Sequence, residues 1–172
     1  MGTPKMWPVS ETPPSLLGFT TYLLSRTGRT ARSRLAAKLA ERDMKLWHMD
    51  VLSALGDFGP HAQRELSSRL RIDRSDMVRI VDELAVSGLV HRARDTADRR
   101  RVTVTLCPAG RSVLADLQTE ALGVQEELLA PLTLAEQTQL ATLLRRVHVH
   151  AHGDGAAPGL CASGSRGPVA AS

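Results

Sequence analysis

From Ser15 to about Asp43 the large apolar residues Leu16, Leu23, Leu24, Leu35 and Leu39 return on a roughly helical period, with Ala and Arg filling the positions between. The pattern predicts one long helix, kinked near Gly28. Lys45 to Phe58 predicts a second, with Leu46, Met49, Leu52 and Leu55 as its stripe and Gly56 and Gly59 ending it. A third, Ala62 to Leu70, turns Leu66 and Leu70 inward. Asp73 then offers an N-cap to a fourth, whose stripe is Met77, Ile80 or Val81, and Leu84, and Gly88 stands where a left-handed C-terminal residue belongs. Two short helices joined by a short turn read as a helix-turn-helix.

After Gly88 the pattern changes. Leu89-Val90-His91 starts a strand and Val102 to Leu106 forms another, with Arg94 to Arg101 looping between them. A hairpin directly after a helix-turn-helix is a wing. Pro108 opens a fifth helix with Val113, Leu114, Leu117, Val124 and Leu128 as its apolar positions, ending before Pro131. Thr133-Leu134-Ala135-Glu136 is a capping box for a last helix through Leu140, Leu143, Leu144 and Val147. The expected fold is mainly α: a winged helix-turn-helix of about six helices and a small β-hairpin. Residues 1–14 and 151–172, rich in Pro, Gly, Ala and Ser, are expected to be disordered tails around one domain spanning 15–150.

Composition narrows the class. With 172 residues and 42% hydrophobic content the chain has a core's worth of apolar surface for one domain. The longest apolar run, Leu16 to Leu24, is too short to span a bilayer, and residues 1–14 lack the apolar centre of a secretory signal, so a cytoplasmic protein without membrane association is expected. Cys107 and Cys161 make neither a disulfide framework nor a metal motif. No nucleotide loop, metal motif or paired nucleophile and base is present, so neither an enzyme nor a cofactor is expected. The net charge is only +4, but the positive charge is almost all arginine, whose forked donors suit phosphates and guanine edges.

Arginine placement points to double-stranded DNA. The fourth helix would lie in a major groove, with Ser75, Asp76 and Arg79 near base edges. The wing, His91 to Arg101, holds five arginines against two aspartates, and its tip is thin enough for a minor groove, whose negative potential favours arginine. Arg94, Arg99 and Arg100 are its candidate contacts. No aromatic residue stands there to stack on single-stranded bases. Plainer readings coexist with each assignment: the wing arginines as a solvated basic loop, Arg79 paired with Glu83 one turn away, and Gln63 and Arg64 either touching phosphate or solvating their helix. Cys107 reads as inert, and His148, His150 and His152 as a frayed, solvated helix end, since only His148 and His152 share a face and no acid stands beside them.

In this order of elements the chain resembles the MarR family of bacterial transcription regulators. The family's wing signature, D-x-R-x-x-x-L-x-L-T-x-x-G, is matched by Asp98, Arg100, Val104, Leu106 and Gly110, with a conservative change at Val104. Asp73 to Leu84 and Ser87-Gly88-Leu89-Val90 resemble its recognition helix and exit. The resemblance, covering about residues 15–150, implies a homodimer joined through helices within 15–43 and 108–150, with a DNA-binding lobe over 45–107. It also implies an ion pair by which Asp98 fixes Arg100, and insertion of Arg100 into the minor groove. A repressor released from a pseudo-palindromic operator by a small aromatic or phenolic ligand would follow, with Trp47 and His48 beside the ligand cleft; a plainer reading packs Trp47 in the core and leaves His48 on the surface. A winged-helix module that binds a protein instead of specific DNA is the alternative. Three positions depart from the pattern: Cys107 replaces the capping threonine, Arg71 stands where a turn glycine is frequent, and Ala62 replaces a Ser or Thr cap.

Overall fold

The computed structural model describes residues 12–94 and 102–152. The order is α1 (Pro14–Leu17), α2 (Thr20–Ala40), α3 (Leu46–Phe58), β1 (His61–Ala62), α4 (Gln63–Leu70), α5 (Arg74–Val86), β2 (Val90–Arg94), β3 (Val102–Leu106), α6 (Pro108–Leu129) and α7 (Leu134–His152). The chain divides into two compact units, residues 1–128 and 129–172.

In the first unit the core collects the predicted stripes of α3, α4, α5 and α6, while of the first predicted stripe only Leu39 is buried and Leu23 and Leu24 are exposed. Leu52, Leu55, Leu66, Met77, Ile80 and Leu84 are completely or almost completely buried, joined by Leu39 from α2, Val104 from β3 and Leu117 from α6. α3, α4, α5 and β3 thus share one apolar centre. β3 lies in the middle of the sheet, antiparallel to β2 with Val90 opposite Leu106 and Arg94 opposite Val102, and antiparallel to β1 with His61 opposite Val104. β1 is a third strand that the alternation does not reveal, because two residues are too few to show a period.

Three boundaries differ from the sequence expectation. The long first helix breaks at Gly18 and Phe19, where Phe19 turns extended, and α2 runs unbroken through Gly28. No atom lies within 4 Å of a Cβ built on Gly28, and Thr30 Oγ1 donates to the Arg26 carbonyl at 3.2 Å, keeping that turn closed, so nothing there forces a kink. Gly56 lies inside α3, where a Cβ would meet Leu114 Cδ2 at 2.9 Å, and Gly59, at φ 77°, ends the helix. Helical structure begins at Pro14, one residue inside the stretch assigned to the N-terminal tail.

The two ends of α4 carry two of the departures. Arg71 adopts φ 53°, ψ 38°, the left-handed conformation suited to glycine. At α4 the missing Ala62 side chain is offset from the other end of the box, since Glu65 Oε2 accepts the Ala62 N–H at 3.1 Å. Asp73 caps α5 by accepting the Ser75 N–H at 2.8 Å, and Gly88 leaves the helix at φ 70°. The signature glycine, Gly110, has a different reason: a Cβ there would stand 2.1 Å from the Leu89 carbonyl oxygen. That same oxygen accepts the Cys107 N–H at 3.0 Å, so the start of α6 sits directly on the exit from α5.

The second unit contains α7. Its box is formed, with Thr133 N–H donating to Glu136 Oε2 at 2.8 Å and Glu136 N–H to Thr133 Oγ1 at 3.4 Å. No residue of α7 is buried, and Leu134, Leu143, Leu144, Val147 and Val149 are exposed. The helix holds through His152, two residues inside the stretch assigned to the C-terminal tail and without the expected fraying, and the His152 ring stacks on His148 at 4.4 Å. No helix of the described residues is long and apolar enough to cross a membrane.

Two glycine exchanges should move stability in opposite directions. Arg71→Gly relieves a left-handed residue that costs roughly 1–2 kcal/mol and adds unfolded-state entropy of about half that, so the melting temperature should rise by a few degrees. Gly110→Ala forces backbone apart and should destabilise by more than about 3 kcal/mol. Thermal melts by circular dichroism check both.

Candidate nucleic-acid interface

The side of α5 away from its buried stripe carries Ser75, Val78, Arg79 and Asp82, a spacing that puts all four on one helical face. Ser75, Asp76 and Arg79 are exposed, as the major-groove reading requires. They are also linked to their neighbours. The Ser75 hydroxyl donates to Asp73 Oδ1 at 2.5 Å, and Arg79 donates to Asp76 Oδ1 at 3.0 Å and to Glu83 Oε1 at 2.8 Å. The Ser75 hydroxyl and N–H together hold the Asp73 carboxyl below its ordinary value, and the bonds to Asp76 and Glu83 push Arg79 up. Both proposed fates of Arg79 are therefore open at one residue: it pairs with Glu83 and stays on the outward face.

Glu83 is the centre of this network and was not legible as such in the sequence. Its second oxygen accepts from Lys45 Nζ at 2.9 Å and lies 2.8 Å from His48 Nε2, so the carboxylate ties α5 to the start of α3. Hydrogen bonds from Lys45, His48 and Arg79 hold its pKa down at about 2. His48, expected on the surface in the plainer reading, is 4% exposed. It can be buried because both ring nitrogens are satisfied: Nδ1 accepts the Lys45 N–H at 3.2 Å, which leaves the proton on Nε2 to donate to Glu83. Burial outweighs the attraction of Glu83 and lowers the His48 pKa. Trp47, expected in the core in that same reading, instead keeps 37% of its surface exposed, with the Arg79 guanidinium 5.8 Å from its ring centre. At position N2 of α3 its side chain points along the outside while that of His48, one residue on, turns in.

Two clefts flank α5. One, of about 630 Å³, is bounded by Met44, Lys45, His48, Arg79 and Glu83; Trp47 is not part of its wall. The other, of about 650 Å³, lies between α4, the start of α5 and the wing, where Gln63, Arg64, Arg74 and Arg92 meet. Gln63 places its Oε1 in the interior without a partner among the described residues, while Arg64 is exposed. Arg92 of β2 pairs with Asp82 of α5, a bond between strand and helix across ten residues that no periodicity marks. Arg94 is exposed at the end of β2. Asp98, Arg99 and Arg100, like Cys161, lie outside the described residues.

Acid should weaken this anchoring in two stages. The native chain refuses a proton at His48 that the unfolded chain accepts as pH falls through 6.5, and the Glu83 contribution, complete above 4.5, is lost as pH falls towards about 2. Urea unfolding midpoints should therefore hold near pH 7 and decline below 6.5. His48→Gln, which keeps a donor for Glu83 but does not titrate, should flatten the first part of that decline.

Comparison with known proteins matches these features. A family model described as MarR family matches residues 42–101, the stretch from the start of α3 to the wing. A Thauera aromatica protein described as regulatory for the hcr operon is 31% identical over 87 residues, 51% of this chain, and the match spans 52% of that protein's length. A Pseudomonas aeruginosa protein described as a probable transcriptional regulator has a crystal structure similar at TM-score 0.65 and 30% identity, over 77% of this chain and 98% of the other. BpsR of Bordetella bronchiseptica, described as regulated in DNA binding by 6-hydroxynicotinic acid, is similar at TM-score 0.65 and 25% identity over 74% of this chain and 97% of its own. With the helix-turn-helix, wing strands and flanking helices all in the family's order, this chain belongs to the MarR family.

Proposed function

We propose that the protein is a homodimeric, sequence-specific regulator of transcription that binds double-stranded DNA and acts as a repressor released by a small aromatic acid or phenol. The observation that carries this is the geometry of α5: one face locked in the core, the other exposed beside the wing strands, with Arg64, Arg74 and Arg94 exposed around it. Such a helix meets base edges while the surrounding cations meet phosphates. Family membership supports the same reading.

Two half-sites require two copies. Exposed Leu17, Phe19, Leu23 and Leu24 in the first unit, and the unburied leucines and valines of α7 in the second, supply the apolar surface for a dimer joined through segments of 15–43 and 108–150. Light scattering at micromolar concentration should give about twice the mass of 18.6 kDa. For the ligand, the cleft beside His48 and Lys45 offers an apolar wall that includes Met44, Val78 and Val86, with Trp47 just outside it, and an aromatic carboxylate there would compete with Glu83 for Lys45. The regulation of BpsR by an aromatic acid makes aromatic carboxylates the first compounds to test for release from DNA.

Footprinting on the DNA upstream of the protein's own gene tests the whole reading, and Asp98 and Arg100 test its wing. Arg100→Ala should weaken operator binding by roughly 1–3 kcal/mol and lower the salt slope by about one ion. Asp98→Ala should also weaken binding, although deleting an acid near DNA would tighten the grip of a merely basic loop. Equal or tighter binding by folded, dimeric Asp98→Ala would remove the ion pair and leave the arginines as diffuse charge.

A further inference from the structure

On the outward face of α5 the polar side chains are already occupied. Ser75 is bonded to Asp73, Arg79 divides its guanidinium between Asp76 and Glu83, and Asp82 accepts from Arg92. Val78 stands among them, 43% exposed, and forms part of the wall of both flanking clefts. It is the ridge between them. The core does not need this side chain, since Met77, Ile80, Val81 and Leu84 complete the buried stripe without it.

We propose, on the reading that α5 enters a major groove, that Val78 is a specificity-determining residue that reads the C5 methyl group of a thymine in each half-site. That methyl is the apolar feature of the major-groove edge, and an aliphatic side chain is its natural contact. Valine suits the task because its branched Cβ restricts χ1 in a helix, so two methyl groups are presented in a fixed direction with little rotamer entropy left to lose. Ser75, Arg79 and Asp82 must each exchange an existing bond to reach a base. Val78 has none to give up.

The test replaces each thymine of the footprinted operator by deoxyuridine, which removes the methyl and nothing else. One thymine in each half-site should respond, with binding of the unaltered protein weakened about fourfold per methyl, the equivalent of roughly 0.8 kcal/mol. Val78→Ala should bind the natural operator at least about fourfold more weakly and lose nothing further on the substituted one. Val86→Ala serves as control: Val86 is 90% exposed but lies eight residues, about 12 Å, further along the helix, and should keep the parent's methyl sensitivity. Indifference of the unaltered protein to every deoxyuridine, or undiminished methyl sensitivity in Val78→Ala, overturns the assignment while leaving DNA binding intact. Failure of the unaltered protein to protect any DNA overturns the underlying reading as well. The deoxyuridine scan needs no variant, so its failure overturns the assignment in any case, and if Val78→Ala does not fold, Val78→Ser, which removes both methyl groups, must lose the methyl sensitivity in its place.

Discussion

Met77, Ile80, Val81 and Leu84 are each within 1% of complete burial, and the rotation of α5 about its axis follows from them. A helix with four such residues on one side cannot roll without bringing a large side chain into water, at about 1.5–3 kcal/mol for each. Which side chains face outward is therefore decided inside. Glu83 adds a polar fastening at the edge of the same stripe, linking α5 to Lys45 and His48 at the start of α3. Asp82 adds another, to the wing strand through Arg92. The outward face is as well defined as the core because it is fixed by the core.

How much of this could be read in advance depended on how local the cause was. The stripes of α3, α4, α5 and α6, the Asp73 cap, the left-handed Gly88 and the Thr133–Glu136 box are each written within a few residues, and each is found, whereas Leu143, Leu144 and Val147 of α7 and Leu23 and Leu24 near the start of α2 are exposed. Gly28 misled because glycine permits a kink without demanding one, and the surrounding turn stays closed. His48 misled for the opposite reason. Its burial depends on an acceptor 35 residues away, and no spacing rule connects them. Arg92 and Asp82 belong to different elements, a strand and a helix, and no single period relates them.

The candidate interface shows the same division. The exposed face of α5 follows from helical period, so Ser75, Asp76 and Arg79 could be named from sequence. The internal pairing of that face could not, and it changes the physical problem. An arginine already held by two carboxylates meets DNA with much of its charge compensated, whereas Arg64 and Arg74 have no such partner among the described residues. On the proposed reading, attraction to the phosphates and choice among bases would therefore fall to different side chains.

Gly110 has a mechanical meaning. The first turn of α6 rests on the Leu89 carbonyl so closely that no atom beyond hydrogen fits between them, and Cys107 is bonded to the same oxygen. Contacts between backbones have none of the give of a side chain that can change rotamer, and packed interiors compress little. The joint between α6 and the root of the wing is therefore stiff: a tilt imposed at the start of that long helix has no slack to take up and arrives at Leu89 as displacement.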